Sequence, residues 1–323
     1  MSPAPESVII ETGSRLHFGL IDPVGSSGRL YAGAGVMVDS PGVHLAARLS
    51  PDGDWVAAED PVAGRVTDFI CRFRKHTGCD ARFNIEIASC PGDHLGLGTG
   101  TQLGMAVSTA CSNLLGLDGE IETVAGRTDR GRRSAIGVHG FERGGFLIDG
   151  GKTEERELSA LRARIELPRA WRFLLVIAPG HHGLSGQQEA DCFEQLGAIP
   201  AETVGRLEAL LDKGLLTAAE NDDWPAFSRA LHEFGLLAGE PFQEAQGGAF
   251  STDLAAKIAR HLRGAGIEGV GQSSWGPALY ALLPGQREAE TAAEELRKRF
   301  GLHDGEIRVT RPRNRGATVE AGA

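Results

Sequence analysis

The spacing of apolar residues along the chain changes near its midpoint. In the first half, β-branched or alternating segments bounded by glycine and proline predict strands over 8–12, 36–49, 81–88 and 145–148. Apolar residues three and four apart predict two helices in this half, at 62–73 and 101–115. Helical spacing dominates the second half. Its predicted helices are 187–197, 201–213, 223–238, 252–264 and 286–300, and its predicted strands are 171–178, 278–283 and 306–310.

This mixture of strands and helices, without strict alternation, predicts an α+β fold. A charged stretch from Lys152 to Arg164 separates the two halves. We therefore predict two domains, residues 1–165 and 166–323. Because the connections are short and rich in glycine, we expect the domains to pack closely around a cleft.

Composition excludes some classes of partner. The 323 residues carry a formal net charge of −10, which disfavours nucleic acid. No run of about 18 apolar residues occurs, so we expect no membrane span. Residues 1–7 lack the basic start and apolar core of a signal peptide, and the five cysteines form no C-x-x-C pair. We expect a cytoplasmic protein that binds neither nucleic acid nor membrane.

The segment 93–104 is the strongest candidate for phosphate binding. Its glycines suit a tight turn, and Thr99 or Thr101 would cap the helix that follows. A helix start offers unpaired N–H groups and a positive dipole end, which attract phosphate. The predicted loop residues are Gly96, Gly98, Thr99, Gly100, Thr101 and Gln102. The alternative is an ordinary turn with an N-cap, and the segment matches neither a P-loop nor a dinucleotide fingerprint.

Other polar segments are further candidates. Arg15, His17 and Asp22 interrupt an apolar run, and such groups are costly to bury unless they are paired or face a ligand. A structural Arg–Asp pair is the alternative there. The turn 271–277 offers a second anion cradle, with Ser273, Ser274 and Gly276 as its donors.

The segment 179–189 follows a predicted strand and opens a helix. Its polar candidates are His181, His182, Ser185, Gln187 and Glu189. Adjacent histidines alone are a weak metal signal, so a polar rim that donates to an anionic substrate is the better interpretation. Arginine suits phosphate, yet the arginines at 130–133 and 308–315 also fit a solvated surface. Asp222 and Asp223 are interpreted as helix capping.

Three of these segments, Ser14–Asp22, Gly96–Leu103 and Gly271–Leu283, stand in the order of the GHMP small-molecule kinase superfamily. The run Gly96-Leu97-Gly98-Thr99-Gly100 resembles its motif P-x-x-x-G-L-G-S-S-A. The resemblance implies a GHMP-kinase-like two-domain fold: an N-terminal mixed sheet with helices and a ferredoxin-like C-terminal domain. It also implies an ATP-dependent small-molecule kinase as one candidate function. However, the segment 134–146, where the kinases carry a catalytic aspartate, holds none before Asp149, and His139 lies near the expected place.

Longer stretches are similar to one branch, the β-ribofuranosylaminobenzene 5′-phosphate synthase family. They are 14–22, 131–151, 185–189 and 312–317. This resemblance implies transfer of phosphoribosyl from phosphoribosyl pyrophosphate to 4-aminobenzoate or 4-hydroxybenzoate, with release of pyrophosphate and CO2. The family acts early in tetrahydromethanopterin biosynthesis, a part of one-carbon metabolism, and the resemblance implies a homodimer. The kinase remains the alternative, and a non-catalytic binding protein is a third possibility.

The resemblance also suggests roles for the candidate residues. Arg15 and His17 would hold the acceptor carboxylate, and Asp22 or Glu189 would hold Mg²⁺ on the pyrophosphate. The two glycine-rich loops would bind the donor phosphates, with no assignment of which loop takes which group. The residues of the 179–189 segment would contact substrate.

Overall fold

The computed structural model describes residues 4–153, 157–177, 183 and 186–322. The strands are β1 (Ser7–Leu20), β2 (Gly33–Leu49), β3 (Trp55–Ala57), β4 (Phe83–Ser89), β5 (Phe146–Asp149), β6 (Leu161–Ile165), β7 (Arg172–Ile177), β8 (Gly269–Gln272), β9 (Ala278–Leu283), β10 (Ile307–Thr310) and β11 (Thr318–Gly322). The helices are α1 (Val62–Thr77), α2 (Thr99–Leu114), α3 (Ile121–Arg127), α4 (Ile136–Arg143), α5 (Gly186–Gln195), α6 (Ala201–Ala209), α7 (Thr217–Glu220), α8 (Trp224–Gly239), α9 (Gln243–Gln246), α10 (Asp253–Gly264) and α11 (Gln286–Phe300). A π-helical turn, Leu210–Leu216, joins α6 to α7, and a 3-10 turn, Glu240–Phe242, joins α8 to α9.

The strands form two sheets. The first has the order β11-β1-β2-β4-β3, and β5 pairs with β2 and β6 with β5. The second is antiparallel in the order β10-β7-β9-β8. Both sheets carry helices, as the predicted α+β class requires.

Three large apolar cores, together with a small cluster of Met37, Ile136 and Leu147, hold these layers together. The helices α1 and α2 pack on the first sheet, where Phe69, Phe73 and Leu103 are buried. The helix α8 packs between the two sheets with Phe227 and Phe234, and α10 and α11 cover the other face of the second sheet. The end of β1 therefore lies where both sheets meet α8.

The strand β1 is longer than the predicted 8–12. It pairs with β2 as far as Leu20, with register shifts between Thr12 and Ser14 and between His17 and Gly19. The polar residues Arg15 and His17 are thus strand residues. Their position two apart directs their side chains to the same side.

Two capping predictions had different outcomes. Asp223 caps α8, since its side chain accepts a hydrogen bond from the Ala226 N–H at 3.0 Å. The predicted threonine cap of α2 is wrong. Gly98 is the N-cap, in a left-handed conformation with no side-chain hydrogen bond, and the Thr99 hydroxyl instead donates to the Gly92 carbonyl at 3.3 Å.

The C-terminal residues return to the first sheet, where β11 pairs with β1. Arg313 anchors this return: only 2% of it is exposed, and its guanidinium donates to the Glu11 carbonyl at 3.0 Å. The tail arginine at this position is therefore structural. The division into 1–165 and 166–323 stays a prediction, and β11 crosses it. Among the described residues, no helix is both long and apolar enough to cross a bilayer.

Candidate active site

A cleft of about 440 Å³ opens beside the end of β1. Its walls come from β1, the segment 129–134, the helices α5 and α8, and the turn after β8. The charged residues that line it are Arg15, Arg130, Arg132, Arg133, Asp129 and Glu189. Because arginines outnumber carboxylates, the cleft suits an anionic ligand.

Arg15 is the least satisfied of these groups. Its Nε and Nη1 atoms are buried, and neither has a hydrogen-bond acceptor among the residues that the structure describes. Burial lowers the pKa of Arg15 to about 10, against the raising effect of the Glu189 charge. Burying an unpaired donor is costly, and a charged one more so. The guanidinium of Arg15 is therefore suited to bind an anion.

His17 lies beside Arg15, 5% exposed, and is held from two directions. Its backbone N–H donates to Ser273 Oγ at 2.9 Å, and its Nε2 lies 3.1 Å from Ser134 Oγ. Burial, together with the charge of Arg15, lowers the pKa of His17 well below its usual value. His17 is consequently a neutral imidazole, not a cation.

The hydrogen bonds of His17 continue to a carboxylate. Ser134 Oγ donates to Asp149 Oδ2 at 3.2 Å, and the Ala135 N–H donates to the same oxygen at 2.6 Å. Asp149 is 1% exposed, and burial raises its pKa. The segment 134–146 contains no aspartate. However, β5 places the carboxylate of Asp149 within hydrogen-bond distance of Ser134 and Ala135, just before α4.

The two predicted anion cradles lie against each other. Ser273 Oγ donates to the Gly96 carbonyl at 2.5 Å, and the Ala278 N–H donates to the Leu95 carbonyl at 3.1 Å. A Cβ at Gly96 would come within 2.4 Å of the Ser273 carbonyl oxygen. The absence of a side chain at Gly96 therefore allows the turn 271–277 to pack closely against this loop.

The remaining glycines of the loop face arginines. Gly98 has a φ of +68°, and a Cβ there would lie 3.1 Å from Arg15 Nε. At Gly100 a Cβ would meet Arg65 Nη2 at 2.5 Å and Arg130 Nη1 at 3.8 Å. Three arginine side chains thus crowd the start of α2, where the helix dipole already favours an anion.

Several predicted loop side chains are occupied elsewhere. Gln102 accepts from Thr12 at 2.7 Å and donates to the Gly137 carbonyl at 2.8 Å. Ser273 is fully buried between His17 and Gly96. Among the predicted donors of the two loops, Thr101 and Ser274 line the cleft. Gly276 supports the second turn, where its N–H donates to the Ser273 carbonyl at 3.0 Å.

Glu189, one of the predicted site residues, lies on α5 and lines the cleft. Its Oε1 accepts from Trp275 Nε1 at 3.0 Å, and its Oε2 pairs with Arg133 Nη1. The guanidinium of Arg133 lies 5.0 Å from the centre of the Phe193 ring. The carboxylate thus ties α5 to the turn after β8.

An aromatic wall lies behind Glu189. Phe193, Phe242 and Trp275 line the cleft and meet edge to face, with ring centres 4.8 to 6.0 Å apart. Such a wall offers a flat organic ring both apolar area and quadrupole contacts.

Asp22 lies apart from the cleft-lining residues. Its carboxylate accepts backbone N–H groups from Val24 at 3.3 Å, Gly25 at 2.8 Å and Ser27 at 2.5 Å. Burial alone would raise its pKa, but hydrogen bonds from Ser27, Ser26 and Gly25 outweigh burial and lower it. The carboxylate organises the loop after β1.

Three predicted substrate contacts, His181, His182 and Ser185, lie outside the described residues, and of Gln187 only the backbone, in α5, is described. Sequence reasoning did not select Ser134, Asp149 or the aromatic wall. For Ser134 and Asp149 a signal was available, since both fall in the family-like stretch 131–151. The aromatic residues, by contrast, come from three separate elements.

Magnesium prefers oxygen ligands and often keeps only one or two carboxylates besides substrate phosphates. Within the described ranges, no three His, Cys, Asp or Glu side chains are grouped to hold a metal ion. Asp129 and Glu189 are the carboxylates of the cleft, and each pairs with an arginine. This donor set fits a magnesium ion that arrives with phosphate oxygens, and Glu189 is the carboxylate nearer the aromatic wall.

Comparison with known proteins identifies the lineage. The chain is 32% identical over 330 residues to the β-ribofuranosylphenol 5′-phosphate synthase of Archaeoglobus fulgidus, covering 96% of this chain and 99% of that protein. The chain belongs to the β-ribofuranosylphenol 5′-phosphate synthase family. Its similarity to the Methanothermobacter thermautotrophicus synthase is 29% identity, covering 96% of this chain and 98% of that protein.

Solved structures share the fold of this chain. Residues 215–302 match the family described as GHMP kinases C terminal. The homoserine kinase of Cytophaga hutchinsonii superposes with a TM-score of 0.68 at 18% identity, covering 99% of each chain. Another structure of this fold, of MDDEF with MVAPP, AMPPCP and magnesium, gives a TM-score of 0.69 at 13% identity, covering 98% of this chain and 99% of that chain. The predicted α+β GHMP-kinase-like fold is confirmed.

Proposed function

We propose that this protein forms β-ribofuranosylphenol 5′-phosphate by transferring phosphoribosyl from phosphoribosyl pyrophosphate to 4-hydroxybenzoate. Pyrophosphate and CO2 are the other products. The observation that carries the proposal is the buried guanidinium of Arg15 in an aromatic-walled cleft, since two of its nitrogens have no hydrogen-bond partner among the described residues. The relatives named for a phenol product support 4-hydroxybenzoate over 4-aminobenzoate. On the family resemblance, we also propose a cytoplasmic homodimer that acts in tetrahydromethanopterin biosynthesis.

The donor phosphates would bind at the start of α2. Arg65 and Arg130 approach Gly100 there, and the helix dipole adds a positive field. Burial lowers the pKa of Arg130 to about 10, so it stays charged at neutral pH. Thr101 and Ser274 lie on the cleft surface and would add hydrogen bonds to phosphate oxygens.

The acceptor ring would stack on the aromatic wall, with its carboxylate on Arg15. The neutral state of His17 leaves Arg15 as the cation for this carboxylate. Arg15 and His17 lie two residues apart on β1, which spaces their backbones by about 7 Å. That spacing suits the opposite ends of a para-substituted ring, so His17 would face the hydroxyl.

The reaction makes two electrostatic demands. Loss of pyrophosphate leaves positive charge on the ribose C1′, which the electron-rich ring of the acceptor would stabilise. When bound, Mg²⁺ would neutralise charge on the leaving pyrophosphate, with Glu189 as its protein ligand. The carboxyl-bearing ring carbon would then attack C1′. Departure of CO2 would restore the aromatic ring, and the wall of aromatic residues would keep water away from C1′.

A single assay tests the proposal. The protein is incubated with carboxyl-labelled 4-hydroxybenzoate, magnesium and either phosphoribosyl pyrophosphate or ATP with small alcohols. We expect labelled CO2 and pyrophosphate only with phosphoribosyl pyrophosphate. ATP-dependent phosphorylation of an alcohol, without CO2 release from the pyrophosphate donor, would support the kinase instead.

A further inference from the structure

A hydrogen-bonded series runs from the cleft into the protein interior. It starts at His17 on β1, passes through Ser134 just before α4, and ends at Asp149 on β5, with heavy-atom distances of 3.1 and 3.2 Å. His17 and Ser134 line the cleft. The proposed roles of Arg15 and Glu189 leave this series unused.

The donors and acceptors fix the state of the histidine. The Ile136 N–H donates to Ser134 Oγ at 3.2 Å, and the Ser134 hydroxyl donates its hydrogen to Asp149 Oδ2. His17 Nε2 must therefore donate to Ser134 Oγ. In a neutral imidazole the other nitrogen, Nδ1, is then a hydrogen-bond acceptor.

The far end of the series is equally well held. Asp149 Oδ1 accepts from the Gly151 N–H at 3.0 Å and from the Ser159 hydroxyl, while Oδ2 accepts from the Ala135 N–H at 2.6 Å. The carboxylate cannot turn away from Ser134 without breaking these bonds. A carboxylate fixed in this way orients His17 through Ser134, much as a carboxylate orients the histidine of a catalytic triad.

We propose that Ser134 and Asp149 are positioning residues that hold His17 as the proton acceptor for the hydroxyl of the benzoate. This inference rests on the proposed function and names the groups that activate its acceptor. His17 Nδ1 takes the hydroxyl proton while the ring carbon bonds to C1′ and the C1′–O bond to pyrophosphate breaks. The electron pair of that bond leaves with pyrophosphate.

The proton taken up by His17 is returned to the product after CO2 has left. While His17 holds it, the Nε2 proton shifts through Ser134 towards Asp149, so that a second cation does not build up beside Arg15. Cleavage of the bond between the ring and the carboxylate releases CO2, and its electron pair restores the ring as a phenolate. As the proton on Asp149 shifts back through Ser134 to Nε2, His17 Nδ1 returns the hydroxyl proton to the phenolate oxygen. No oxidant or reductant is needed.

The test compares Ser134→Ala with Ser134→Thr, using 4-hydroxybenzoate and 3-fluoro-4-hydroxybenzoate as acceptors. Positioned general bases contribute about 10²–10⁴-fold, and loss of the positioning group should lower kcat about tenfold to a hundredfold. We expect this loss for Ser134→Ala with 4-hydroxybenzoate and a smaller loss with the fluorinated acceptor, whose hydroxyl is more acidic. Ser134→Thr, which keeps a hydroxyl, should recover most of kcat. The KM for phosphoribosyl pyrophosphate should not change.

Ser108→Ala is the matched control, since it removes another buried serine hydroxyl, on α2, that bonds to the Val124 carbonyl. We expect wild-type kcat for this variant with both acceptors. Equal losses of kcat with both acceptors in Ser134→Ala, or no loss, would overturn the inference while the proposed function stands. A wild-type protein that forms no product from either acceptor would overturn both.

Discussion

The buried guanidinium of Arg15 is the most costly charged group of the site, because it has lost contact with water. Two of its nitrogens are buried without an acceptor in the described part of the chain, and its neighbour His17 is neutral. A hydrogen bond to a charged group is worth about 1.5–3 kcal/mol. An anion that reaches Arg15 therefore gains more than it would from a solvated arginine.

The first prediction concerns the shape of this group. Arg15→Lys keeps the charge but loses the planar fork, so the KM for 4-hydroxybenzoate should rise about tenfold to a hundredfold, as expected for one charged hydrogen bond. The KM for phosphoribosyl pyrophosphate should stay nearly unchanged. Steady-state kinetics with each substrate varied in turn measures both. Arg48→Lys, on the exposed part of β2, is the control. A raised KM for the donor alone would move Arg15 to the phosphate site.

At this scale the sequence predicted the side chains that interrupt an apolar pattern. Arg15 and His17 were selected because a polar side chain that is buried in a strand is costly unless it is paired or faces a ligand. Ser134 and Asp149 could not be paired with His17, because the strand pairing that joins β1, β2 and β5 is a long-range property. Gln102 and Ser273 looked equally suited to phosphate, yet their hydrogen bonds hold the backbone together.

Among the elements, α2 shows how a glycine shapes the site. Gly98 begins the helix in a left-handed conformation, and a Cβ there would touch Arg15 at 3.1 Å. Gly116, after the same helix, has a φ of +62° and open space around it. The two positions share a backbone strain but differ in what they touch.

Alanine at either glycine should lower the free energy of unfolding by roughly 1–2 kcal/mol, the cost of a left-handed alanine. Only Gly98→Ala should also raise the KM for 4-hydroxybenzoate, because its methyl group displaces Arg15. Urea unfolding and acceptor kinetics on both variants check this. An unchanged KM for 4-hydroxybenzoate in Gly98→Ala would show that the added methyl group does not displace Arg15 from the acceptor site.

The loop after β1 depends on the charge of Asp22. Its lowered pKa means that the carboxylate stabilises the fold above the unfolded pKa, and that this contribution is lost as pH falls through the folded pKa. Asp22→Asn should therefore cost about 1.5–3 kcal/mol at pH 7, with the difference from wild type shrinking below about pH 4. Urea unfolding at several pH values measures it. A constant difference would mean that the amide itself, rather than the charge, matters.

For the whole molecule, apolar periodicity was enough to predict the fold class, because long amphipathic helices and strands carry strong signals. The edge strands were harder. The short β3 and β11 have little periodicity, and the sheet they join is decided by pairing with β4 and β1. The cleft itself combines β1 with α5, α8 and the turn after β8, and this arrangement is a tertiary property.

The bond that this cleft is proposed to form joins ribose to a benzene carbon. The direct measurement uses phosphoribosyl pyrophosphate labelled with ¹³C at C1′ and 4-hydroxybenzoate labelled with ¹³C at its carboxyl-bearing ring carbon. We predict a product whose NMR spectrum shows one-bond coupling between the two labelled carbons, with the carboxylate gone. An uncoupled product that retains its carboxylate, such as a riboside joined through the hydroxyl oxygen, would contradict the account.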